Sequence, residues 1–225
     1  MNRLLLIFIL LFALSSSLFA QRFKGAVMGG MNLSQVDGDE VVGYKRVGGH
    51  LGVAAILPIN NFDITLETVF NQKGAREKSQ YNYYDSTVSL LYTGEYNLRL
   101  NYVEVPLLAH YTDKEKYTFG MGFSYGRLVS FSEIEHGGGV PPYSDTVAFN
   151  KADWNVLVDL QMRIWKQLKF NVRFAYSLVP IRDRTYHDVI YKTKDPWTRQ
   201  QYNHLFTFRL VYVFNERYEP GRPEE

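Results

Sequence analysis

The sequence contains no cysteine. That excludes disulfides, thiolate metal sites and cysteine nucleophiles together. It also lacks a dominant charge: 25 Lys and Arg stand against 23 Asp and Glu, for a formal net charge of +2. No basic field for nucleic acid follows from such a balance. After residue 20 no apolar run is long enough to cross a bilayer as a helix. The five histidines are scattered, with no His-x-x-x-His spacing, so neither a metal nor another cofactor is expected. His204 is expected on an apolar face beside Leu178 and Leu33, without a hydroxyl near it, and His50 points the other way. No catalytic residue is therefore assigned, and the chain does not read as an enzyme. Gly137-Gly138-Gly139, followed by Pro141-Pro142, has no strand-to-helix context and reads as a loop tip rather than a phosphate cradle.

What is abundant is aromatic: 16% of the chain, with 17 Tyr and 15 Phe. Residues 1–20 read as an export signal, with Arg3, an apolar Leu4-to-Leu14 stretch and small residues before cleavage after Ala20. The mature chain of about 205 residues suits one domain, residues 21–215, with a charged, Pro- and Gly-containing tail at 216–225 that reads as a flexible periplasmic extension.

The organising pattern is a period of two. In residues 154–164, Trp154, Val156, Val158, Leu160, Met162 and Ile164 alternate with Asn155, Leu157, Asp159, Gln161 and Arg163. Successive strand side chains point to opposite faces, so one face is apolar and the other almost wholly polar. Similar segments are read at 23–33, 47–57, 62–71, 98–111, 117–130, 168–179 and 204–214. The connections alternate between tight turns (58–61, 113–116, 165–167) and long loops (33–46, 72–97, 131–150, 180–203). A secreted lipocalin-like barrel shares the alternating faces. The short–long loop rhythm and the aromatic strand ends favour a barrel in an outer membrane, where every sheet edge must close. The expected fold is all-β, an eight-stranded antiparallel up-and-down transmembrane β-barrel with both termini periplasmic.

In such a barrel Glu67, Glu104, Asp159, Arg163, Arg173 and Arg209 fall on the lumen face as a charge network. An eight-stranded interior is just wide enough for side chains, so these groups should pair and plug it, with Asp159 and Arg173 nearly level. Gly120, Gly122 and Gly126 leave room into which the arginines can reach. The long loops are rich in the residue types of binding hot spots, and Tyr83, Tyr84, Tyr92, Arg182, Arg184, Tyr191 and Trp197 are the candidate loop-binding residues. The expected partners are outer-membrane lipid and lipopolysaccharide, whose phosphates suit the loop arginines.

Several stretches resemble an outer-membrane β-barrel family common in Bacteroidetes and often labelled PorT-like. They are Gly29-Gly30-Met31-Asn32-Leu33-Ser34, Leu66-Glu67-Thr68-Val69-Phe70-Asn71-Gln72-Lys73-Gly74, Leu100-Asn101-Tyr102-Val103-Glu104-Val105-Pro106-Leu107-Leu108 and the glycine-rich Gly120 to Leu128. The resemblance implies an outer-membrane barrel from a Bacteroidetes-like source. It also brings an alternative to a structural or binding role: an accessory part of protein secretion of the type IX kind, with envelope or secretion proteins as partners. A narrow pore ranks behind both.

Overall fold

The computed structural model describes residues 23–86, 90–113, 116–138, 148–187 and 195–216. The predicted signal at 1–20 lies outside them, as does the tail beyond Glu216. The strands are β1 (Lys24–Asp37), β2 (Arg46–Ile59), β3 (Phe62–Glu77), β4 (Tyr83–Asp85), β5 (Leu90–Tyr92), β6 (Tyr96–Asp113), β7 (Tyr117–Glu135), β8 (Ala152–Trp165), β9 (Leu168–Ser177), β10 (Arg182–Tyr186) and β11 (Trp197–Val213). Antiparallel pairing runs β1-β2-β3-β6-β7-β8-β9-β11, and β11 closes onto β1 from Ala26↔Val213 to Asp37↔Tyr202. The ring is therefore the eight-stranded barrel expected from the alternation.

The alternation sorts side chains as the lipid setting demands. Phe119, Met121, Phe123, Val158 and Leu160 stand exposed on the outer surface, while Thr118, Ser124, Asn155, Asp159 and Gln161 on the same two strands are buried inside. Aromatic rings mark both ends of the apolar face. Phe62–Tyr111 and Tyr212–Phe214 pack near the tight turns, and Tyr125–Trp154 and Tyr176–Tyr202 near the long connections. The tight turns are tighter than the sequence suggested. Ile59 pairs with Phe62 and Trp165 with Leu168, so Pro58 lies within β2. Asn60 and Lys166 take the left-handed conformation that these turns need.

The strands overrun the predicted segments, and almost all of the excess is on the long-loop side. At about 3.3 Å per residue and a tilt of about 40°, the 14 residues of β8 rise roughly 35 Å, and the 19 of β7 roughly 48 Å. The apolar band of such a barrel is only about 25 Å tall. The stretches read as loops at 72–97 and 180–203 are in large part strand: the end of β3, the β4–β5 hairpin, the start of β6, and β10 paired with the start of β11. The backbone continues to pair where the hydrophobic period has ended, forming a sleeve beyond the membrane band.

Candidate functional site

The centre of the lumen is a compact ion-pair knot. Arg173 on β9 and Asp159 on β8 are register partners, and Arg173 donates from Nε to Asp159 Oδ1 at 2.6 Å and from Nη2 to Oδ2 at 2.8 Å. The same guanidinium reaches across to Glu67 on β3, donating to both of its oxygens at 2.8 and 2.9 Å. Arg209 on β11 grips the same two Glu67 oxygens at 3.0 Å and donates from Nε to Asn171 Oδ1 at 2.7 Å. Two carboxylates thus meet two arginines, and all four side chains are buried. Such a cluster is tolerable in a dry interior because the charges cancel and the hydrogen bonds are filled.

A second tier lies on the sleeve side. Lys73 Nζ, fully buried, sits 2.6 Å from Glu104 and 3.0 Å from Asp153. Ser177 and Asn203 also donate to Asp153. Asn71 and His50 join the tiers: Asn71 donates to Glu104 at 3.0 Å, and the His50 ring lies 3.2 Å from Asn71 Oδ1 and 3.1 Å from Arg209 Nη1. Above this tier the interior is apolar, with Tyr96, Leu98, Leu100 and Tyr102 packed around Phe149 and Ile181. On the turn side Ala26, Met28, Val211 and Val213 form one wall of the interior, and buried Thr65, Thr118, Gln161 and Lys169 line it as well. Between that layer and the knot lies a void of about 20 Å³, room for about one water.

The structure corrects the expected network at three points. Glu104 meets none of the three arginines and pairs instead with Lys73 and Asn71. Arg163 does not join Glu67 or Asp159; it lies at the turn end, where it bonds Glu216 at 3.0 Å. Glu216, the first residue of the expected flexible tail, is held there by Lys169 and Lys24 as well. The space left by Gly120 is filled not by an arginine but by the His110 ring, whose Cδ2 would lie 2.2 Å from an added Cβ. His110 is in turn 3.3 Å from Asp159 Oδ2 and 3.0 Å from Thr65 Oγ1. Lys73, Asp153 and His110 belong to the site and were not singled out in the sequence.

His204 also has different neighbours from those expected. Register places it beside Tyr176 and Gln35, two residues away from Leu178 and Leu33. A hydroxyl does reach it: Tyr44, folding back over the barrel wall, places its OH 3.0 Å from His204 Nδ1, with Asp37 Oδ1 3.3 Å from Nε2.

The sleeve ends in a mouth with its own electrostatics. Arg182 is buried there and donates to Glu133 at 2.8 Å and to Gln201 at 2.8 Å, with its guanidinium 4.2 Å over the Phe149 ring. Arg184 pairs with Glu135 and Glu133 and lies over the Tyr96 and Tyr186 rings. Of the candidate loop-binding residues, Tyr84 is exposed on β4 and Tyr83 beside it stacks loosely on Tyr92. Tyr92 itself is buried against His136. Trp197 packs on Tyr186 and donates to Glu40 at 3.1 Å. Tyr191 lies outside the described residues. Tyr92 and Arg182 are thus wall and buttress of the mouth rather than free loop contacts, because strand pairing carries them inside the sleeve.

A cavity of about 390 Å³ opens at this end, lined by Asp39, Tyr81, Tyr92, Glu95, Arg184 and Tyr186 among others. Asp39 is buried in its wall, and burial pushes its carboxyl up to about 7. Among the described residues no group of three His, Asp or Glu is placed to hold a metal.

Similar solved structures include Ail, the attachment invasion locus protein of Yersinia pestis, at 11% identity and a TM-score of 0.44, covering 85% of this chain and 98% of that one. A major outer membrane protein from Thermus thermophilus is similar at 13% identity and a TM-score of 0.44, covering 85% of this chain and 99% of that one. No curated protein sequence matches. The profile of one family, described as outer membrane protein beta-barrel domain, matches residues 19–183. With its closed eight-stranded ring, apolar outer surface and polar interior, the chain belongs to the outer membrane protein beta-barrel domain family.

Proposed function

We propose that this protein is a non-conducting barrel that acts at the cell surface, as a binding protein whose working part is the outer mouth. The observation that carries the reading is the continuous filling of the lumen: a mixed turn-side layer, the knot around Glu67, the Lys73 tier and the apolar cap around Phe149. A solute path would have to break ion pairs that are buried on every side, and an eight-stranded ring has no spare width. The same filling disfavours a narrow pore.

In this reading the tight turns and both termini face the periplasm and the sleeve faces outward, as the length asymmetry of outer-membrane barrels implies. Exposed Arg99 and Arg127 on β6 and β7 lie beyond the Tyr125–Trp154 belt, and lipopolysaccharide phosphates are their proposed partner.

Two measurements test the proposal. Planar-bilayer recording on the purified protein should show no steady conductance, and a stable open channel would overturn the closed-lumen reading. Protease added to intact cells should cut at the exposed Tyr83–Tyr84 hairpin. Protection there until the cells are lysed would reverse the orientation.

A further inference from the structure

The mouth cavity is acidic in a way that its own ion pairs do not explain. Two of its carboxylates are matched, Glu77 by Lys45 and Glu135 by Arg184. Asp39, Glu40 and Glu95 also line it; among the described residues none of the three is ion-paired, although Arg184 lies near enough to Asp39 to favour its charged form. Arg184 is already committed to Glu135 and Glu133. The wall therefore carries an excess of negative groups around a space of about 390 Å³, within the range that holds small ligands.

Asp39 is the sharpest feature. It is only 5% exposed. Its Oδ1 accepts from the Val41 backbone N–H at 2.9 Å, but among the described residues its buried Oδ2 has no hydrogen-bond partner. A buried carboxyl oxygen left in that state is rare and calls for a cationic donor, which would also hold the carboxyl ionised against the burial that raises it. Four tyrosines, Tyr81, Tyr92, Tyr96 and Tyr186, stand among the remaining lining residues. Tyr81 is pressed against Gly94, where an added Cβ would come within 2.9 Å of the ring, so the bare glycine is what lets the ring sit there. Tyr186 is held on its other side by the Trp197 ring. Tyrosine faces attract cations, and Arg184 over Tyr96 and Tyr186 shows that these rings already serve one.

An anion would meet the Glu40 and Glu95 carboxylates and would push the Asp39 carboxyl, already raised by burial, further toward its neutral form. A neutral sugar would leave their charge standing. From the orphaned Asp39 oxygen, the carboxylates of Glu40 and Glu95 and the tyrosine walls, we propose that the outer mouth binds a small organic cation of the di- or polyamine class. One ammonium group pairs with Asp39 and the chain lies along the exposed Tyr81 ring, since Tyr186 is already covered by Trp197 and Arg184. This inference rests on the reading that the mouth, not the lumen, is the working part.

The test is calorimetric titration of spermidine into the full chain held in phosphatidylcholine nanodiscs, whose lipid carries no net charge. Saturable binding is expected. Asp39→Asn should weaken it at least tenfold, and Glu95→Gln several-fold. Asp183→Asn, on the exposed outer side of β10, should leave it unchanged. Absence of saturable binding overturns the proposal, as does unaltered affinity in a folded Asp39→Asn protein. If that variant does not fold, unaltered affinity in Glu95→Gln has the same force. Maltotriose and inorganic phosphate are titrated in parallel. Saturable binding of either without spermidine binding overturns the cation class but leaves a surface-binding barrel standing, whereas a stable conductance defeats the surface-binding reading itself.

Discussion

Replacing Glu67 by alanine should destabilise the barrel by about 3–5 kcal/mol, the range for removing one partner from a buried ion pair. Glu67 is the shared acceptor of both arginines, with four hydrogen bonds of 2.8 to 3.0 Å. Without it Arg173 keeps Asp159, but Arg209 is left with a 3.4 Å contact to Asp159 and neutral partners in Asn171 and His50. A guanidinium in that state cannot lose its proton, so the cost cannot be relieved by neutralisation. Removing the Arg163 side chain should cost much less, because Glu216 retains Lys169 and Lys24 and the site is partly wet. Denaturant titration of both variants in the same lipid measures the difference. Equal midpoints for Glu67→Ala and the unmodified protein would show that the knot does not hold the barrel together.

Placing an arginine at Val158 should cost about 2–4 kcal/mol if that position lies near the bilayer midplane. Val158 is half exposed on the outer wall, between Val156 and Leu160, so lipid is what it meets. Gln161, three residues on, points inward and donates to His110. Gln161→Asn keeps the amide chemistry and should cost far less. Folding into bilayers of defined thickness, followed by unfolding, compares the two. If Val158→Arg folds as well as Gln161→Asn, the assignment of faces is reversed.

Much of this was visible in the chain before its folding was considered. The period of two placed Glu67, Glu104, Asp159, Arg173 and Arg209 inside, and the tight Trp165-to-Gln167 turn put Asp159 opposite Arg173, where they pair. What stayed hidden lies mostly in the sleeve. There the outer wall no longer meets lipid, so hydrophobic alternation ceases while backbone pairing continues. Lys73 shares the phase of Glu67 and Asn71, yet it falls two residues past the point where the apolar partner positions end.

A second cause is the bulge on β7. Asn101 pairs with Ser130 but Tyr102 with Leu128, leaving Val129 as an extra residue. Glu133 and Glu135 have the same parity as the lipid-facing Phe119 and Phe123. They turn inward to meet Arg182 and Arg184 only because that insertion flips the phase. The partners of His204 were misplaced for a simpler reason: the stagger between neighbouring strands is set by pairing along their whole length, which no single segment reveals.

The central knot also has a bearing on how the barrel is assembled. Glu67 is separated along the chain by 106 residues from Arg173 and by 142 from Arg209, so neither contact can form until the sheet has curled and β11 has met β1. A slip of one residue in any strand would turn its charged side chain out to lipid and leave the others unmatched. The knot therefore works as a register check at the end of folding. Until closure the chain holds exposed carboxylates and guanidiniums that water must solvate, and afterwards they are locked away. Formation should be slow, as contacts so distant in sequence dictate, and close to all-or-none, with miswound rings left loose enough for periplasmic proteases to remove.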